Sequence, residues 1–204
     1  MAKFKLTKTE LKAQTDALKR FQRFLPMLLL KKQQLQGEIA GIVAKADRIC
    51  AEERRIRSEL DDWVGLFATD EKLVAGLVKV KGVNTGIANI AGVTIPTFGS
   101  IDTEIKEIDK WSTPAWIDAA VETSTRVLSL QCERKIYDEQ RRLVSEELQR
   151  TSQRVNLFEK VKIPECKEAI RVIKIAIGDE QTAAVTRGKI AKGRAPQQDV
   201  EKVA

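Results

Sequence analysis

The chain has 204 residues, of which 32% are charged and 43% hydrophobic, while only 5% are aromatic. Charge-rich, aromatic-poor chains are typical of long helices and coiled coils, because each helix buries only one stripe of side chains. The sequence contains no histidine, which excludes a Ser–His or Cys–His nucleophile pair within the chain. The three cysteines form no CxxC pair, so we expect buried thiols in a reducing compartment rather than a metal site or a disulfide framework.

A seven-residue apolar repeat runs from Leu11 to Trp63. Its first column contains Leu11, Leu18, Leu25, Lys32, Ile39, Ala46, Glu53 and Leu60, and its second contains Gln14, Phe21, Leu28, Leu35, Ile42, Ile49, Ile56 and Trp63. Thirteen of these sixteen residues are apolar. A repeat sustained over this many heptads predicts a coiled-coil helix. Pro26 lacks an amide donor, so we expect it to kink this helix or to start a new one.

The periodicity changes after about Leu66. Val78 to Lys81 alternates apolar and charged residues, and a second β-like run follows at Val93 to Ile95. Gly82, Asn84 and Gly86 punctuate the first run, while Pro96 and Gly99 end the second. This pattern predicts a small β-hairpin or a pair of short strands.

A second long helix is predicted from Thr113, a good N-cap, and Pro114, which suits the first helical position. One column contains Trp116, Leu130, Tyr137, Val144 and Phe158, and Val127, Leu148 and Val155 help to fill the other. Arg134 and Arg141 interrupt that second column, so this seam is weaker than the first. We expect Pro164 to break the helix, a shorter amphipathic stretch to end at Gly178, and a frayed tail from about residue 191.

Two long helices separated by a compact insert bury their stripes most simply by folding back on each other. The predicted fold is therefore mainly α, a long antiparallel two-helix coiled-coil hairpin with a small head containing a β-hairpin. We divide the chain into a first helix (1–65), the head (66–112), a second helix (113–190) and a flexible basic tail (191–204). Both chain ends are expected at one end of the hairpin.

Charge is unevenly distributed along this predicted hairpin. The net charge is +7 overall, +7 in residues 1–32, +3 in residues 185–204 and −4 in residues 58–110. The pattern indicates a basic end at the two termini and a mildly acidic head. Two interpretations stay open: solvated faces that keep a long helix soluble, or a basic end held by a partner of negative potential.

No pattern of catalytic or cofactor-binding residues stands out. GVNTGIANIAG lacks the spacing of a phosphate loop, and carboxylate pairs such as Asp61–Asp62 lie beside many basic residues as ion-pair faces would. Basic residues are not interleaved with aromatic platforms, so direct nucleic-acid binding is not favoured. The longest apolar run, Phe24 to Leu30, is too short to cross a bilayer, and no signal peptide is visible, so a cytoplasmic location is expected.

Several segments carry a resemblance to a known family. The most specific is RVNLFEKVKIP at residues 154–164, followed by Ile170, Ile173, Lys174, Gly178–Glu180, Val185–Arg187 and Lys189. Leu6–Lys8, Leu29–Gln33, Asn89–Pro96 and Thr113–Trp116 extend the match over nearly the whole chain. Together they resemble the D subunits of V-type and A-type rotary ATPases, with the middle segments closest to the shorter bacterial branch.

The resemblance implies a non-catalytic rotor shaft without cofactor or metal. This shaft transmits torque in a complex that translocates protons or sodium ions. Its implied partners are the ring of catalytic and non-catalytic subunits (A and B type), a small F-type subunit of the central stalk, and a funnel-shaped subunit on the membrane ring. Contact with the membrane is then only indirect.

Two sets of residues are candidate partner contacts. The basic set contains Arg187, Lys189, Lys192, Lys8 and Lys12, and the head set contains Val80, Val93 and Ile95. The alternative function is a free-standing coiled-coil adaptor or a basic nucleic-acid-binding arm.

Overall fold

The computed structural model describes residues 5–61, 77–106 and 116–194. Its elements, in chain order, are α1 (Lys8–Asp61), β1 (Val78–Ile90), β2 (Val93–Ile105), α2 (Trp116–Leu157), a π-helical turn (Phe158–Lys162) and α3 (Ile163–Arg194). The mainly α fold with an antiparallel β-hairpin between long helices is confirmed. Trp63, Thr113 and Pro114 lie outside the described residues, and the division of the chain at residues 65, 112 and 190 stays a prediction.

The chain divides into two compact units. The terminal unit contains residues 1–29 and 153–204, and the middle unit contains residues 30–152. The long helix α1 contributes to both, and so does the second helical run.

The heptad repeat of α1 predicted its buried face correctly. Leu35, Ile42, Ile49 and Ile56 are at most 9% exposed, and every other position of the two columns within Lys8–Asp61 is buried or half-buried. Pro26 lies inside α1, which continues from Lys8 to Asp61, so a new helix does not start there. An interior proline costs about 3 kcal/mol, and the packing of the flanking seam residues offsets this cost.

The hairpin has two strands of 13 residues each, longer than the sequence predicted. Its turn is Ala91–Gly92, and both residues have positive φ, 50° and 84°, as a two-residue type I′ turn requires. The backbone N–H of Gly92 donates to Asn89 Oδ1 at 3.0 Å, which fixes the turn.

The interpretation of glycine and proline as strand ends was wrong. Shifts in register occur between Val80 and Gly82 and between Asn84 and Thr85, so these residues bend the ladder without ending it. Gly99 is required by close approach, because a Cβ there would lie 2.9 Å from the carbonyl oxygen of Asn84. Pro96 is tolerated because both strands of a two-stranded sheet are edge strands.

In the middle unit the hairpin lies along the helices and does not project as a separate head. Near its turn, Ile95 packs with Leu35, Ile42 and Val144 in one buried cluster. Near its base, Ile101 and Ile105 line a groove of about 560 Å³ with residues Asp118 to Ser129 of α2. The strands span about 43 Å at ~3.3 Å per residue, which matches about 39 Å of α2 between Asp118 and Val144 at ~1.5 Å per residue. The described part of the insert therefore forms a third layer on the helix pair.

The second helical run continues where two breaks were expected. The Ile163 N–H donates to the Phe158 carbonyl in a π-helical turn just before Pro164, and this wider turn accommodates the proline ring. Gly178 lies inside α3, which extends to Arg194. A glycine in a helix interior costs only about 1 kcal/mol, and that is not enough to end this helix. Residues 195–204 of the predicted tail lie outside the described residues.

The terminal unit pairs the start of α1 with α3 and the end of α2. The rings of Phe21 and Phe158 lie 4.9 Å apart, tilted by 51°. Cys166, Ala169 and Ile173 are buried along α3. Phe21 lies beside Phe158, whereas the earlier residues Leu6 to Lys8 lie beside the later residue Ile177, which confirms that α1 and the second helical run are antiparallel in this unit.

Candidate interaction surfaces

The basic residues of the predicted contact set lie in the terminal unit. Lys8 and Lys12 lie on the first turns of α1, whereas Arg187, Lys189 and Lys192 lie near the end of α3, and all five are exposed. Leu6, Thr7 and Lys8 line an open cleft with Ile177 and residues 180–184 of α3. The structure therefore places the first turn of α1 beside α3, and α3 continues beyond that cleft.

The last part of α3 is unusual for a single helix. All residues from 178 to 193 are exposed, and two of them are large apolar residues, Val185 at 59% and Ile190 at 50% exposure. The Arg187 side chain bonds to its own helix, donating from Nε to the Ala183 carbonyl at 3.2 Å. Its charged end is thus accessible from outside the chain.

The head residues of the predicted set differ in exposure. Ile95 is 2% exposed, and Val93 packs against the same cluster, so both are used by the chain's own core. Val80 is 36% exposed. Sequence reasoning missed Ile87, which is 83% exposed. Strand alternation could have found it, since Ile87 pairs with Pro96 while Ala88 pairs with Ile95, and successive pairs face opposite sides of the sheet.

A second apolar surface lies on α1 in the terminal unit. Phe24, Met27 and Leu29 are 48%, 62% and 45% exposed, and on the other helical run Leu157 and Val161 are 43% and 39% exposed. We call Phe24, Met27 and Leu29 the apolar collar. The sequence already contained this signal, because a helix that is apolar on all sides is normally covered by other residues.

Two interruptions of the apolar pattern contact each other in the middle unit. Glu53, the charged residue of the first α1 column, is 5% exposed, and Arg134 Nη1 of α2 lies 3.5 Å from its Oε2. Gln131 Nε2 donates to Glu53 Oε1 at 3.0 Å, and Arg57 Nη2 donates to the same oxygen at 2.7 Å. By contrast Arg141 is exposed and pairs with Asp138 on its own helix, so it does not interrupt the seam.

The environment of Glu53 keeps this carboxyl charged. The hydrogen bond from Gln131 lowers the pKa of Glu53 below its ordinary value, and the charges of Arg57 and Arg134 act in the same direction. Together they outweigh burial, which raises this pKa. The heptad columns do not show this cluster, because it joins Glu53 of α1 to residues of α2 that lie about 80 positions further along the chain.

The described residues contain little that suggests catalysis or metal binding. Within residues 5–61, 77–106 and 116–194, no group of three or more His, Cys, Asp or Glu side chains could hold a metal ion. The three cysteines are free, and burial raises the pKa of the Cys166 thiol. None of the described helices is long and apolar enough to span a membrane.

Comparison with known proteins finds matches over nearly the whole chain. The family model of the ATP synthase D subunit matches residues 10–193. The D subunit of the V-type ATP synthase of Borreliella burgdorferi is 46% identical over 193 residues, covering 94% of this chain and 95% of that protein. The protein of the same name from Chlamydia felis is 31% identical over 202 residues, covering 98% and 97%. The chain belongs to the ATP synthase D-subunit family.

Proposed function

We propose that this chain is the non-catalytic shaft of the central stalk in a rotary ATPase of the V/A type. It transmits torque between the ring that hydrolyses or synthesises ATP and the ion-translocating rotor in the membrane. The observation that carries this proposal is a family match over nearly the whole chain, in a molecule whose folded core is the seam between long antiparallel helices.

The seam suits a shaft because interlocked apolar side chains resist relative movement of the helices. Leu35, Val144 and Ile173 are seam residues with 0% exposure. The hairpin adds a third packed layer in the middle unit, which stiffens the helix pair there. A chain that turns inside other subunits needs this stiffness more than it needs a binding pocket.

The terminal unit is the part that we place inside the ring of A-type and B-type subunits. Its exposed cations on α1 and α3 supply a basic surface for partners of negative potential. An asymmetric shaft contacts each ring subunit differently, and such differential contact biases the open and closed states of those subunits. The apolar collar offers a second, uncharged contact on the same unit.

The hairpin is the part that we assign to the small F-type subunit and the funnel-shaped subunit on the membrane ring. Ile87 and Val80 are exposed on it, whereas Val93 and Ile95 support it from beneath. This assignment replaces a contact through Ile95 with one through the outward face. Contact with the membrane stays indirect.

The proposal is tested by replacing Arg187, Lys189 and Lys192 together with alanine in the assembled complex. We expect ATP hydrolysis to lose its coupling to ion transport, because the shaft loses part of its charged contact with the ring. The matched control replaces three exposed cations of the middle unit, Lys45, Arg48 and Lys135, with alanine. Unchanged coupling in the first variant, or equal loss in both, would refute the assigned role of the basic end.

The assignment of the hairpin is tested with Ile87→Ser, which we expect to weaken binding of the F-type subunit. The control is Ile190→Ser, the same change at an exposed isoleucine of the terminal unit. If the F-type subunit binds both variants equally well, the outward face of the hairpin is not its site.

The alternative of a free-standing adaptor or nucleic-acid-binding arm rests on the exposed basic end of α3. Affinity purification of the full chain from its own cells distinguishes the two functions. A shaft is recovered with ring and stalk subunits in fixed stoichiometry. An adaptor or arm is recovered without them, and in the case of an arm with nucleic acid that is released by salt.

A further inference from the structure

The carboxylate of Glu53 is a charged group inside an apolar seam. It occupies the first heptad column of α1, with Ala46 one heptad before it and Leu60 one heptad after it. Its exposure is 5%, and its seam neighbours Ile49 and Ile56 are buried as well. Burying an ionised carboxylate is unfavourable unless partners compensate for the lost water.

The partners of this carboxylate come from both helices. Gln131 and Arg134 of α2 lie 3.0 Å and 3.5 Å from its two oxygens, and Arg57 of α1 lies 2.7 Å from Oε1. The adjacent Glu52 is bridged in the same way, with Arg126 of α2 at 2.8 Å, but its side chain is 32% exposed. Of these two carboxylates, Glu53 is the one that is both bridged across the helices and withdrawn from water.

The second heptad column of α1 does not by itself distinguish one axial alignment of the helices from another. Leu28, Leu35, Ile42, Ile49 and Ile56 repeat every seven residues, so a shift of α1 by one heptad replaces four of these five with another member of the set. Ile95 of the hairpin packs in one cluster with Leu35 and Ile42 of α1, which are one heptad apart, and Ile39 of the first column packs against the same cluster. The Lys31–Glu147 ion pair would be lost on shifting, but it is partly exposed, and such pairs contribute little.

We infer that Glu53, held by Gln131 and Arg134, is a register lock that selects one axial alignment of α1 against α2. A shift by one heptad would place Ala46 or Leu60 opposite Gln131 and would leave the carboxylate buried without its donors. A single polar residue in a coiled-coil core is known to fix alignment in this way. The inference goes beyond the proposed function and does not depend on it, because it concerns the folded chain alone.

The test measures the alignment directly with two spin labels on the full chain. Lys45→Cys on α1 and Ser145→Cys on α2 carry the labels, both positions being exposed, after Cys50 and Cys132 are changed to serine and Cys166 to alanine. Double electron–electron resonance spectroscopy then gives the distribution of distances between the labels. With Glu53 present, we expect one narrow population.

The informative variant is Glu53→Met with Gln131→Leu, which keeps the seam filled but removes the polar link. We expect a second population, displaced along the helix by about 10 Å for a shift of seven residues at ~1.5 Å each. Thermal unfolding of this variant should not occur at a lower temperature, because apolar replacement of a buried polar pair is often neutral or stabilising. One unchanged narrow population would overturn the lock.

The matched control is Glu52→Met, a change at the neighbouring bridged carboxylate outside the heptad columns. It should keep the single population, and a second population of the same size there would also overturn the inference. If the double variant does not fold, Glu53→Gln is compared with Glu52→Gln by the same labels. A broader distribution for Glu53→Gln supports the lock, and equal distributions refute it.

Discussion

The middle and terminal units use the same helices but bury them to different degrees. In the middle unit, two helices and the hairpin enclose Leu35 and Val144 completely, each at 0% exposure. In the terminal unit, the α1 columns are only half-buried, and Phe24 and Met27 are 48% and 62% exposed. The hairpin thus completes the burial of the α1 seam in the middle unit, whereas a pair of helices leaves apolar surface of α1 uncovered in the terminal unit.

The largest effect is expected from truncating the enclosed core. Leu35→Ala should lower the free energy of unfolding by about 2–5 kcal/mol, because it opens a cavity between three elements. Leu25→Ala, at a half-buried position in the terminal unit, is the matched control and should cost clearly less. Urea unfolding followed by circular dichroism measures both. Equal losses would mean that the two units are packed equally well.

A smaller effect is expected on stability when Glu53 is replaced, and this effect should depend on pH. The pKa of Glu53 is lowered from its ordinary value of 4.5, so its contribution to stability is fully present above that value. It is lost as the pH falls through the lower pKa of the folded state. Glu53→Gln should therefore lower the free energy of unfolding near neutral pH. The difference in this free energy between the variant and the wild type should become smaller below pH 4.5. A gap that is constant down to acid unfolding would contradict the assigned contacts.

In the terminal unit, the pair Phe21 and Phe158 should contribute a coupling of about 0.5–1.5 kcal/mol beyond its buried area. A double-mutant cycle of Phe21→Leu and Phe158→Leu measures this coupling by chemical unfolding. Its value tests whether the terminal unit has specific packing of its own. Additive effects of the two changes would show that the rings only fill space.

The smallest effect concerns the hairpin that distinguishes the units. Ala91 has a φ of +50°, a conformation that costs a residue with a Cβ about 1 kcal/mol. Ala91→Gly should therefore raise the free energy of unfolding by roughly 0.5 kcal/mol after some loss of packing. Ala88→Gly, inside strand β1, should lower it. If both changes destabilise equally, packing of Ala91 outweighs its strain.

A difference between the two long helices explains which buried residues the sequence could predict. The α1 columns were correct at every described position, because the α1 residues in the cluster with the hairpin, Leu35, Ile39 and Ile42, belong to the same columns. The columns of α2 omitted Ile136 and Gln140, which are both buried although they lie off the heptad spacing. This helix also packs against the hairpin, where Gln140 Nε2 donates to the Pro96 carbonyl at 2.5 Å. A single helical period does not describe a helix with two buried faces.

Local breaking residues gave the least accurate predictions. Pro26, Pro164 and Gly178 all lie within helical segments, and Pro96 and Gly99 lie within a strand. Each has a local cost of a few kcal/mol at most, which packing along a long element exceeds. The candidate contacts depended in turn on these boundaries, so Ile87 was missed when β1 was expected to end before it.

The apolar collar has a consequence for how this protein is made in the cell. A copy that is translated without its partners exposes Phe24 and Met27 to water and to other copies, and such surfaces drive aggregation and attract chaperones. With the terminal unit placed inside the ring, as proposed above, the cell gains from producing this chain in step with the ring subunits. Overproduced alone, it should associate with itself, and co-expression with its partners should keep it in solution.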